Sequence, residues 1–153
     1  MIREGQKAPD FKLVGDDGKQ HTLKEFAGKT LVLYFYPRDD TPGCTIEAKD
    51  FTKELSAIRK LGADVVGVSD DPFESHCKFR DKYGLKVLLL SDPKHETIEA
   101  YDSWGDRGVF GVGTIRKTYI IGGKGIVAKN LGKVNPVGHA ENVVALLKEM
   151  KGK

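Results

Sequence analysis

The sequence predicts an α/β protein with a mixed central sheet and helices on both faces. Three observations carry that prediction. Residues 30–36 form an apolar, β-branched and aromatic run, the pattern of a strand covered on both sides. Amphipathic helical stretches then alternate with short buried strands. Late in the chain, two strand patterns flank Gly122-Gly123-Lys124-Gly125, as in a hairpin. The alternation requires crossovers and parallel pairing, and the hairpin adds antiparallel strands.

Taken in order, Phe11-Lys12-Leu13-Val14, Gly15-Asp16-Asp17-Gly18 and His21-Thr22-Leu23 read as an N-terminal hairpin. After the 30–36 strand, Ala48, Phe51, Leu55, Ile58 and Leu61 recur at helical spacing, and Gly62 reads as a C-cap. Val65, Val66 and Val68 form a buried strand. Residues 72–83 form a helix, opened by Asp70-Asp71-Pro72 and closed by Gly84. A strand at 87–90 stops at Ser91-Asp92-Pro93, and a short helix covers 96–101. The hairpin pairs 117–121 with 126–131. An amphipathic helix over 140–150 ends the pattern, with Val143, Val144, Leu147 and Met150 on one face.

The chain has 153 residues, the size of one domain, so residues 1–153 are expected to fold as a unit. It is long enough to bury roughly 70% of its extended surface without a disulfide or metal staple. The 25 basic and 22 acidic residues are dispersed, so charge gives no support for nucleic-acid or membrane-surface binding. The longest apolar run, Leu31 to Tyr36, is far short of a membrane span. The N-terminus has no apolar signal core, and two cysteines do not make a disulfide framework. A cytoplasmic protein with reduced thiols is expected.

The chemistry concentrates in Pro37-Arg38-Asp39-Asp40-Thr41-Pro42-Gly43-Cys44-Thr45, which leaves the buried strand and enters a helix. Thr41 suits an N-cap and Pro42 the first helical position, which puts Cys44 in the first turn. Free N–H groups and the positive end of the helix dipole then surround the sulfur and favour thiolate. An unperturbed thiol is only about 3% ionised at pH 7. Making it mostly thiolate takes about 2.7 kcal/mol, more than a helix terminus supplies. A hydroxyl or cation is needed as well, with Thr41, Arg38 or a distant basic residue as candidates. Gly43 leaves the backbone uncovered beside the sulfur, which suits close approach by a ligand. The bland alternative is a small buried cysteine at a strand–helix junction.

Pro37-x-x-x-Thr41-x-x-Cys44 resembles the signature of the peroxiredoxins, and more narrowly of the peroxiredoxin Q or bacterioferritin comigratory protein group. The resemblance extends along nearly the whole chain, through Gly5 to Phe11, Gly67-Val68-Ser69, Ser75-His76, Tyr83-Gly84-Leu85, Thr114-Ile115-Arg116 and Gly138-His139-Ala140. It implies a thioredoxin-like three-layer sandwich. It also implies a thiol peroxidase acting on hydrogen peroxide and organic hydroperoxides, recycled by a thioredoxin-like dithiol protein, with no metal, haem or flavin. The group is often monomeric. Carried over, Cys44 is the peroxidatic cysteine, Thr41 hydrogen-bonds the thiolate and the peroxide, Pro37 shields the pocket, and Arg116 supplies the missing cation. Attack on the peroxide would convert Cys44 to a sulfenic acid.

A sulfenic acid is usually reduced through a disulfide with a resolving thiol. In many members of the group that thiol lies five residues after the peroxidatic cysteine, where this chain has Lys49. The remaining candidate is Cys77, since some members carry the resolving cysteine in the next helix. On a helical wheel Phe79 and Tyr83 face the core with His76 on their side, and Cys77 faces solvent. Local unwinding would then accompany turnover. The alternative is a one-cysteine enzyme in which Cys77 is idle.

Gly123-Lys124-Gly125 loosely fits a dinucleotide loop, but a strand follows where a helix is required. His21, His76, His95 and His139 have no metal-ligand spacing. Two other functions stay open on the residues alone. One is a redox sensor or holdase without turnover; the other is a Cys-His hydrolase with its histidine brought in by the fold.

Overall fold

The computed structural model describes residues 2–151; Met1, Gly152 and Lys153, at the ends of the expected 1–153 unit, lie outside them. Seven strands form one sheet in the order β2-β1-β5-β4-β3-β8-β9. β1 (Lys12–Gly15) and β2 (Gln20–Thr22) are the N-terminal hairpin, joined antiparallel to β5 (Leu88–Ser91). β3 (Thr30–Phe35) and β4 (Ala63–Ser69) pair in parallel, as do β4 and β5. β8 (Lys117–Ile121) runs antiparallel to β3, and β9 (Val127–Lys133) closes the edge as the expected hairpin partner. The Gly122–Gly125 stretch is its turn.

The central position of β3 follows from its composition. Val32, Tyr34 and Tyr36 enter one core, and Leu31, Leu33 and Phe35 the other. Helices α1 (Pro42–Lys60), α2 (Phe73–Tyr83) and α4 (His139–Lys151) cover the first face through Phe51, Phe79 and Val143. The short α3 (Glu96–Ala100) and a 3₁₀ turn at Leu23–Phe26 cover the second. Each such buried side chain stabilises by about 1.5–3 kcal/mol. Gly67 lies opposite Tyr34 in the parallel register, and a Cβ there would come 2.7 Å from the tyrosine ring. The glycine is what lets that ring lie flat over β4 and stack on Phe51.

The expected element order holds, and Gly84 caps α2 in the left-handed conformation. One feature has no counterpart in the sequence pattern. β6 (Trp104–Asp106) and β7 (Val112–Thr114) form a separate two-stranded ribbon, too short and glycine-rich to show a period. That ribbon leads directly into Arg116.

Candidate active site

Helix α1 starts where its capping residues imply: Thr41 is the extended N-cap and Pro42 the first helical residue. Cys44 therefore sits in the first turn. The Thr45 amide is bonded to the Thr41 carbonyl at 2.8 Å. The Gly43 and Cys44 amides are left as the first-turn donors, because Pro42 has none. The Thr41 hydroxyl does not reach the sulfur in this structure. It donates to the Arg38 carbonyl at 2.9 Å and makes no side-chain cap bond.

The cation comes from across the sheet. Arg116, between β7 and β8, places Nη2 3.3 Å from Cys44 Sγ and Nη1 2.7 Å from Glu47 Oε1. Arg38, the local candidate, has no such contact among the described residues. Burial works against the charge on Arg116, but Glu47 and Cys44 outweigh it and raise its pKa. Burial pushes the Glu47 carboxyl up to about 7, against the pull of Arg116. Glu47 Oε2 and the Tyr34 hydroxyl are both buried without a protein hydrogen bond. His139, the first residue of α4, is buried against the edge of Phe51 and bonded through Nε2 to the Thr118 hydroxyl at 2.8 Å. Burial and the Arg116 charge lower its pKa to about 4, so it is neutral at pH 7.

Cys44 is almost completely covered, at 1% exposure. Gly43 does not leave an open approach, contrary to the sequence expectation. A Cβ at that position would lie 3.0 Å from Arg116 Nη2 and 3.2 Å from Pro136 Cγ, so the bare backbone serves the arginine rather than a ligand. The sulfur lies one layer below the surface. Arg116 and Pro37 both line a shallow, open cavity of about 300 Å³, together with Asp106, Arg107, Gly108, Ile115 and Lys133.

Cys77 is also placed differently from the helical-wheel expectation. It is half-buried rather than solvent-facing, with Sγ 3.6 Å from the Asp16 carbonyl. The wheel is right that Cys77 lies opposite Phe79. What it lacks is the β1–β2 turn, 61 positions earlier, which covers that side of α2. His76 and Phe79 are fully buried as expected. Cys44 and Cys77 are both free thiols. Lys49, in the alternative resolving position, is exposed, with Nζ 5.8 Å from the centre of the Tyr83 ring.

Sequence reasoning passed over Glu47, Asp39 and the role of His139. A signal existed for Glu47, an acidic residue on the otherwise apolar face of α1 at one turn from Cys44. Among the described residues, Asp39, Asp71 and His76 bring one potential metal-ligand atom each within 4.8 Å of one another. Those atoms are engaged in hydrogen bonds within the protein. No helix among the described residues is long and apolar enough to cross a membrane.

Residues 4–130 match the AhpC/TSA family. The chain is 43% identical to Peroxiredoxin Bcp of Bacillus subtilis, with 99% of each chain covered. Two solved structures resemble it throughout. The bacterioferritin comigratory protein of Xanthomonas campestris, a protein studied for alkyl peroxide reduction, superimposes with a TM-score of 0.90 at 36% identity, covering 99% of this chain and 98% of that one. Xylella fastidiosa PrxQ gives 0.94 at 30% identity, with 98% of each chain covered. The thioredoxin-like fold expected from the sequence is the fold of these structures.

Proposed function

Because this chain belongs to the AhpC/TSA family, and within it to the Bcp and Q peroxiredoxins, it is a thiol peroxidase, and we propose that Cys44 is its peroxidatic cysteine. The observation that carries this reading is the 3.3 Å contact between Arg116 Nη2 and Cys44 Sγ at the start of α1. A guanidinium touching the sulfur in the first helical turn places a charged hydrogen-bond donor at the reacting atom.

The thiolate attacks one peroxide oxygen in line with the O–O bond. An S–O bond forms, the O–O bond breaks, and hydroxide or alkoxide leaves and takes up a proton. Cys44 is oxidised to sulfenic acid and the peroxide is reduced. Arg116 and the Gly43 and Cys44 amides stabilise the charge that moves onto the oxygens. Thr41 joins them when its hydroxyl rotates from the Arg38 carbonyl towards the bound peroxide. Pro37 keeps water from the sulfur. Since the sulfur is covered, substrate entry requires Arg116 and its neighbours to shift from the shallow cavity side.

Hydrogen peroxide and small organic hydroperoxides are the proposed substrates; the likeness to the Xanthomonas protein supports the second. Cys77 resolves the sulfenic acid, and a thioredoxin-like dithiol protein reduces the resulting disulfide. The chain acts as a single domain over 1–153, as a monomer, in the cytoplasm.

The test is a peptide map after one equivalent of hydrogen peroxide, with turnover measured against a dithiol reductant. A Cys44–Cys77 linkage, and turnover abolished in Cys44→Ser, are expected. Stoichiometric oxidation without turnover would instead assign a sensor. Sulfenic or overoxidised Cys44 with Cys77 still free would assign a one-cysteine enzyme.

A further inference from the structure

Asp39 and Asp40, which lead into the Thr41 cap of the cysteine helix, are both fastened to α2, the helix that carries Cys77. Asp39 is buried, and its carboxylate accepts three hydrogen bonds. They come from the Tyr36 hydroxyl at 2.6 Å, His76 Nδ1 at 2.6 Å and the Ser75 hydroxyl at 2.8 Å. Its own amide donates to Asp71 Oδ2 at 2.8 Å, which also accepts from Ser69 Oγ at 2.7 Å. Asp40, held at a φ of 57°, accepts from Lys82 Nζ at 2.8 Å and the Tyr83 hydroxyl at 2.5 Å. One residue thus grips the start of α2 and the next grips its end.

The neighbours of His76 constrain what its two ring nitrogens can do. Nε2 lies 2.9 Å from the Leu90 carbonyl, which can only accept. Nδ1 faces Asp39 Oδ2, and the nearby Tyr36 hydroxyl has its proton on the other carboxylate oxygen. With Asp39 ionised, both ring nitrogens donate, and His76 is an imidazolium paired with the Asp39 carboxylate. Burial opposes that charge; the Asp39 bond and charge, the Leu90 carbonyl and Asp71 outweigh it and raise the pKa of His76. The pair is fully enclosed, with side-chain exposures of 0% for His76 and 4% for Asp39.

The two thiols have different surroundings. Cys44 Sγ touches Arg116, and Cys77 Sγ touches the Asp16 carbonyl of the β1–β2 turn. A disulfide needs Cα atoms within about 7 Å and converging Cβ vectors. At least one thiol must leave its contacts, and the Asp39–His76 pair holds the two segments in the arrangement that has to be left.

We propose that the Asp39–His76 ion pair is a latch on the Cys44 segment, and that its opening sets the rate at which the Cys44 sulfenic acid is converted to the disulfide. This rests on the reading of Cys77 as the resolving thiol. In the controlled step Cys77 sulfur attacks Cys44 sulfur; the S–S bond forms and the S–O bond breaks. Hydroxide leaves and combines with the Cys77 proton as water, Cys77 being oxidised and Cys44 reduced. His76 and Asp39 touch neither sulfur and act as positioning residues.

The test compares wild type with His76→Gln and with the milder Ser75→Ala, which removes a single bond to Asp39. Rapid mixing with hydrogen peroxide, followed by alkylation and mass spectrometry, separates sulfenic acid formation from disulfide formation. Amide hydrogen exchange over residues 37–48 reports opening of the segment. In His76→Gln the first step should stay within about twofold, while the second step and the exchange each rise about tenfold, the size of one lost charged hydrogen bond. Ser75→Ala should fall between, which keeps the test valid if His76→Gln does not fold. Ring ¹⁵N spectra of wild type should show both His76 nitrogens protonated at pH 7. Disulfide formation and exchange unchanged in the folded variants, or a singly protonated His76 ring, would overturn the latch. If wild type forms no Cys44–Cys77 bond, the reading of Cys77 is what fails, and exchange and ring spectra still decide the latch.

Discussion

Cys44 and Glu47, three positions apart on the first turns of α1, are joined by one guanidinium: Arg116 gives Nη2 to the sulfur at 3.3 Å and Nη1 to the carboxylate at 2.7 Å. The arginine is thus oriented by the same helix that presents the proposed nucleophile. Its two partners also differ in role, since Glu47 fixes the fork while Cys44 is the proposed reacting group.

Replacing Arg116 with Met should separate those roles. Peroxidase kcat/KM should fall by about 10²–10³-fold, as when a preorganised charge donor is lost. Stability should fall too, because the buried carboxylate loses its ion partner. A second change, Glu47→Gln, should recover stability but not activity. Denaturant unfolding and steady-state kinetics on the single and double variants check this, and activity returning with stability would refute it.

Glu47 should also shape the pH dependence of stability. Its carboxyl sits at about 7 in the folded protein against 4.5 unfolded. The folded state therefore holds the proton more tightly, and wild type loses stability as pH rises from 4.5 to 7. The loss is about 3 kcal/mol for this group. Measured by urea unfolding, the stability of Glu47→Gln relative to wild type should climb by that order across the window. A flat difference is the adverse result.

His139 works in the opposite sense. Its folded pKa is lowered to about 4 from 6.5, so its contribution is present above 6.5 and lost as pH falls towards 4. The window overlaps that of Glu47, and the two partly cancel in wild type. His139→Asn should gain on wild type by about 3 kcal/mol over that descent, unmasking the Glu47 slope. No relative gain on acidification would show that His139 is not held neutral.

Gly43→Ala offers a different separation. Alanine suits a helix better than glycine by about 1 kcal/mol, so thermal stability should hold or rise. The new Cβ would meet Arg116 Nη2 at 3.0 Å and Pro136 Cγ at 3.2 Å, and should push the guanidinium off the sulfur. Activity should drop by about tenfold or more while Tm does not, consistent with loss of one charged hydrogen bond. Unchanged activity would mean that the arginine is free to reposition.

Much of this was legible in the chain itself. The apolar run of β3 and the 3.6-residue period of α1 and α4 are local signals. So are the Thr41-Pro42 start of α1 and the Gly84 end of α2. Together they set the element order and put Cys44 in a first helical turn. The magnitude argument also required a further hydroxyl or cation, with Thr41, Arg38 or a distant basic residue as candidates. Family resemblance, not periodicity, pointed to Arg116.

The β6–β7 ribbon, with its three-residue strands, had no period to read. The cover over Cys77 comes from Asp16, and the clasp on Asp39 from His76; each contact spans tens of residues. Gly43, read as an opening for a ligand, is instead the place where Arg116 crosses. Backbone preference and hydrophobic period act over a few residues and are written in the order of the chain. Ion pairing and burial of a charge depend on which segments the folded sheet brings together, and only the tertiary structure decides that.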